Sequence, residues 1–152
     1  MKIETLEHLV NWSSTVHEQL AEQLETAARG AGDSPARLFI DYAVTHERKM
    51  AQQVAGLIRE SDAKALQTWV YDWLEHLPKR PEAIIRVGDH EVNLEAVSRT
   101  LFTAHNEIMA VFHQLEARAD TSELEELIAR VIDIEEGHTR QMAQQLNRTR
   151  DM

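Results

Sequence analysis

The chain has no cysteine, only five glycines and three prolines, and 5% aromatic residues in 152. Without cysteine there can be no disulfide, no thiolate metal site and no cysteine nucleophile. Scarce glycine, proline and aromatics favour helices over strands. No apolar run approaches the roughly 20 residues that span a bilayer, and Met1-Lys-Ile-Glu-Thr begins no export signal, so a cytoplasmic protein that binds no membrane is expected. The net charge is −10, with acids and bases interspersed. A surface of that sign repels phosphate backbones, which excludes nucleic acid as the expected partner. At this length residues 1–152 form a single domain with a core of its own.

What is present is an echo. His46-Glu-Arg-Lys-Met-Ala-Gln-Gln returns 92 positions later as His138-Thr-Arg-Gln-Met-Ala-Gln-Gln, and Ile40-Asp41 returns as Ile132-Asp133. Thr15-Val-His17 likewise matches Thr103-Ala-His105. The pattern reads as a duplicated pair of helices.

Apolar spacing of three and four places helices over about 3–29, 35–60, 94–118 and 122–148. Gly30 and Gly32 stop the first. Ser34-Pro35 opens the second, Asn93 caps the third, and Ser122-Glu-Leu-Glu125 reads as a capping box for the fourth. The 61–93 connection is long. It is expected to hold one short helix from about Ala63 to Leu77, with Leu66, Trp69, Val70, Trp73 and Leu77 on one side. Pro78 and Pro81 should end it, and Gly88-Asp89 should turn the chain. The tryptophan stripe either packs on the bundle or forms a homodimer contact. The fold class expected is all-α, a four-helix bundle whose long second connection crosses from end to end.

Four histidines fall on the inward stripes near mid-helix. His17 continues Val10, Ser13, Leu20 and Leu24, and His46 sits between Ala43 and Met50. His105 lies between Leu101 and Ile108, and His138 between Val131 and Met142, with Glu135 on the same face. A layer of buried imidazoles is hard to satisfy without a central ion, so His17, His46, His105, Glu135 and His138 are the expected metal ligands. Glu18, Glu47 and Glu107 are rotated by about 100° per residue from that face. They are expected in solvent or, if turned inward, in support of the ligands. Tyr42 is a candidate hydrogen-bond partner of His46, and Lys49 should snorkel at the stripe's edge. His8, His76, His90 and His113 are expected at helix ends, in the connection or on the surface.

The duplicated helices, the long crossover and Glu135-Glu136-Gly-His138 resemble the ferritin-like superfamily, in the style of rubrerythrins and bacterioferritins. The resemblance covers most of the chain as architecture, with a partial motif. That family holds two irons with one glutamate from each of two helices and Glu-x-x-His from each of the other two. Here the fourth helix matches with Glu135 and His138. The second keeps His46 but has Ala43 in place of glutamate, and the first and third carry His17 and His105 where glutamates are expected. One carboxylate neutralises two divalent ions poorly, so a single nitrogen-rich ion is expected. The resemblance implies iron, with zinc, manganese, copper and nickel as alternatives, and an oxidase, peroxide or metal-handling role. Two other readings stay open: a metal-free helical interaction protein with the same fold, and bis-imidazole haem binding.

Overall fold

The computed structural model describes residues 1–84 and 92–152, and every regular element among them is helical. Four long helices dominate: α1 (Leu6–Ala28), α2 (Pro35–Glu60), α5 (Leu94–Glu116) and α6 (Ser122–Arg150). Two single turns, α3 (Ala63–Leu66) and α4 (Pro81–Ile84), and a 3₁₀ turn at Tyr71–Trp73 lie in the connection between α2 and α5. No helix is long and apolar enough to cross a membrane.

The ends form where local chemistry supplies partners for free backbone groups. Thr5 caps α1 in a reciprocal box with His8, whose ring Nδ1 accepts from the backbone N–H of Glu4 and Thr5. His8 is thus a half-buried cap rather than a solvated side chain. Ser34 and Asn93 cap α2 and α5 as expected. The cap of α6 is Thr121, one residue before the expected Ser122, with its hydroxyl accepting from Leu124 N–H at 3.2 Å. Gly32 turns the chain after α1 with φ of +59°, a conformation that costs glycine little.

One expectation for the connection is corrected. Ala63–Leu77 is not a continuous helix, because the backbone of Thr68–Val70 pairs with the N-terminal segment around a bridge between Trp69 and Thr5. Val70 N–H donates to Glu4 O at 2.8 Å and Leu6 N–H to Thr68 O at 3.0 Å. That pairing satisfies the backbone of a run rich in β-formers better than a marginal short helix would. Leu66 and Val70 are buried, but Trp69 is 50% and Leu77 57% exposed, so the expected stripe does not pack as one face. Pro81 opens α4 instead of ending a helix. The turn expected at Gly88-Asp89, and His90, lie outside the described residues.

Side-chain pairs fix the helix directions. Ser14 donates to Ala51 O and Arg37 to Ala28 O, so α1 and α2 run antiparallel. Arg150 with Glu95 and His105 with Thr139 make α5 and α6 antiparallel. His46 with His138 and Arg130 with Glu60 do the same for α2 and α6. One core draws on all four helices, with Leu20, Phe39, Ile108 and Ile128 fully buried.

Candidate metal centre

Each long helix carries an unbroken alternation of four and three. In α1 it runs Leu6, Val10, Ser13, His17, Leu20, Leu24, Ala27, and in α2 Ala36, Ile40, Ala43, Glu47, Met50, Val54, Leu57. In α5 it includes Ser98, Leu101, His105, Ile108, Phe112 and Leu115, and in α6 Leu124, Ile128, Val131, Glu135, His138 and Met142. Helical periodicity sends these positions to the core. The polar members His17, Glu47, His105 and Glu135 are all 0% exposed.

They form one connected cluster. His17 Nδ1 lies 2.5 Å from Glu47 Oε2, and His17 Nε2 lies 2.6 Å from Glu135 Oε1. The other Glu47 oxygen, Oε1, pairs with His105 Nε2. His105 Nδ1 meets Thr139 Oγ1 at 2.9 Å, and the two imidazole rings stand edge-on, 5.5 Å between centroids. Glu135 Oε2 is buried with no hydrogen-bond partner among the described residues.

The electrostatics follow from these contacts. Burial alone would lower the His17 pKa, but the Glu135 and Glu47 carboxylates outweigh it and raise it to about 10. His17 is therefore a cation at neutral pH and donates from both ring nitrogens. Burial would raise the Glu47 pKa, and His105 and His17 instead pull it down to about 2. A ligand atom from each of His17, Glu47 and His105 lies within 4.8 Å of the others, so these three can hold a metal ion.

His46 and His138 form a second pair. Their Nδ1 atoms are 3.3 Å apart, and His138 Nε2 lies 2.9 Å from Gln53 Oε1. Tyr42 stacks on His46 at 4.2 Å, a ring contact rather than the expected hydrogen bond. Burial, then the Lys49 cation, hold His46 below its ordinary pKa; burial, then His46, do so for His138. Lys49 is exposed.

The five expected ligands are thus divided, with His17, His105 and Glu135 in the buried cluster and His46 and His138 in the neighbouring pair. Glu47, expected in solvent, is the most connected residue of the cluster. The alternation Ile40, Ala43, Glu47, Met50 was its sequence signal, competing with Ala43, His46, Met50 on the same helix. Glu18 is exposed, and Glu107 binds Lys79 at 3.1 Å on the surface. Neither reaches the cluster. His76 and His113 are exposed, as expected.

The chain matches no protein-family model, no curated protein and no solved structure.

Proposed function

We propose that this chain is a metal-binding protein built as a ferritin-like four-helix bundle, with one divalent transition ion held among His17, Glu47, His105 and Glu135. Antiparallel packing of α1 on α2, α2 on α6 and α6 on α5 supports the bundle reading, since it leaves α2 and α5 parallel. A parallel pair needs a connection that crosses the bundle, which residues 61–93 supply in length.

The observation that carries the metal reading is the pair of fully buried carboxylates facing two fully buried imidazoles, one carboxylate oxygen being unpartnered. The cluster sets the Glu47 and Glu135 carboxylates against the His17 cation, with His105 bridging Glu47 and Thr139. A divalent ion replacing the His17 proton would be balanced by two ligating carboxylates and would give Glu135 Oε2 a partner. Two imidazoles and two carboxylates suit iron(II), manganese(II) or zinc, and iron is our choice for its fit to mixed nitrogen and oxygen donors. Such an ion would supply one-electron chemistry for an oxidase, peroxide or metal-handling role.

The duplication reading gains support at the same place. His17 and His105 echo one another in sequence, as do His46 and His138, and each echo pair meets face to edge with 5.5 Å between ring centroids. Glu47 and its echo Thr139 take equivalent places, on Nδ1 of His17 and of His105. Glu135 sits on Nε2 of His17, whereas its echo Ala43 leaves the corresponding side of His105 to Glu47 Oε1.

A second reading, a metal-free helical interaction protein, is favoured by one fact: both ring nitrogens of His17 and of His105 have partners without an ion. Elemental analysis of protein purified without chelators, from metal-supplemented cells, separates the two. Metal of constant identity in the wild type, lost in Glu47→Gln, supports the centre. Folded wild-type protein without metal transfers the assignment to the metal-free reading, and Glu47→Gln with undiminished metal places the ion outside this cluster.

A further inference from the structure

We infer that His46 and His138 form a second cation site, separate from the buried cluster, that takes a borderline divalent ion of tetrahedral preference such as zinc, with copper(II) as its spectroscopic probe. Two imidazole nitrogens at about 2.05 Å from one ion stand about 3.3 Å apart when they subtend near the tetrahedral angle. The two Nδ1 atoms are already 3.3 Å apart, long for a hydrogen bond between them. The separation is that of two ligands on one ion.

The rings are also held for the purpose. Gln53 Oε1 accepts from His138 Nε2–H at 2.9 Å, which leaves the lone pair of His138 on Nδ1, facing His46. This is how a ligating imidazole is oriented by its other nitrogen. Tyr42 stacks on His46 at 4.2 Å with 28° between planes and limits its rotation. Binding through His46 Nδ1 requires the neutral ring to carry its proton on Nε2, so that proton moves from Nδ1 to Nε2 through solvent, no net proton is released, and both rings stay neutral.

The two sites differ in access. His17, Glu47, His105 and Glu135 are sealed from solvent, whereas His46 is half-buried and His138 is 9% exposed. Two protein nitrogens leave the remaining coordination positions to water or to a small exogenous ligand. Imidazole donors without a carboxylate favour the later metals, whereas the buried cluster with two carboxylates favours harder ions. Exposed Lys49 opposes a cation at the pair, but solvent screens it. The Glu47 and Glu135 carboxylates lie close enough to act on His138 in the opposite sense.

The test is copper(II) titration followed by electron paramagnetic resonance, on the full chain and with the copper ion alone as probe. Wild type is expected to bind one equivalent with coupling to two nitrogens. His46→Asn, at a half-exposed position that tolerates the change, should weaken that equivalent at least tenfold and remove one nitrogen coupling. Gln53→Leu keeps both imidazoles and should weaken it by about 10–100-fold. The variant Glu47→Gln/Glu135→Gln disables the buried cluster and should retain the two-nitrogen signal. Wild-type copper affinity and spectrum in both His46→Asn and Gln53→Leu would overturn the site, even with the buried centre intact. Loss of the signal in Glu47→Gln/Glu135→Gln but not in His46→Asn would assign the copper to the buried cluster.

Discussion

Glu47 shows how a one-residue ambiguity decides a site. On α2 both Ala43–His46–Met50 and Ala43–Glu47–Met50 satisfy helical spacing, and burying an unpaired carboxylate is costly enough that the histidine is the natural choice for the interior. The cost is met here by His17 and His105, which come from two other helices. Glu47→Gln therefore leaves the His17 cation short of a partner. It should destabilise the metal-free protein by about 3–5 kcal/mol, measured by urea unfolding, while Glu18→Gln stays within about 0.5 kcal/mol. The pH profile is set by the same residues. The folded His17 pKa is raised from 6.5 to about 10, so its contribution is complete below 6.5 and fades as pH rises toward 10. The folded Glu47 pKa is lowered from 4.5 to about 2, so its contribution is complete above 4.5 and fades as pH falls toward 2. Metal-free protein should be most stable between about pH 5 and 6.5, and a midpoint in denaturant that is flat from pH 3 to 9 would contradict the charged His17–Glu47 pair.

At the scale of elements, the long helices follow their patterns and the short ones do not. Periodicity and caps place α2 at Pro35–Glu60 and α5 from Leu94, because these signals are local and repeated over many turns. The start of α6 shows the limit, since Thr121 and Ser122 are both competent caps. Thr121→Ala should cost about 1 kcal/mol, while Ser122→Ala, already inside the helix, should change thermal stability little. Equal losses would place the cap elsewhere. The connection after α2 was not legible because Thr68–Val70 take their hydrogen bonds from Glu4 and Leu6, more than 60 residues earlier. Trp12 adds a second tie, donating from Nε1 to Lys79 O at 2.9 Å.

At the scale of the whole molecule, the near-symmetry around His17 and His105 makes a test of both duplication and metal binding. Glu135, on Nε2 of His17, corresponds in sequence to Ala43, which lacks the carboxylate. Glu135→Ala should lose most of the bound metal. Adding Ala43→Glu to it moves the carboxylate to the echo position and, on the duplication proposed above, should recover at least half of the wild-type metal content. Recovery is read by elemental analysis, with far-ultraviolet circular dichroism to confirm folding. No recovery in a folded double variant would mean that the two halves are not interchangeable around the site.

The sequence alone determined the helical class, the four long helices and the inward direction of His17, His105, Glu135 and His138, because helical periodicity is a local rule written in each segment. Tertiary structure alone decided that Glu47 replaces His46 at the centre, that the histidines divide into two groups, and that Thr68–Val70 pair with the N-terminal segment. Each of those outcomes depends on partners far away in the chain, and the desolvation cost of a carboxylate or a free backbone group is offset only once those partners are in place.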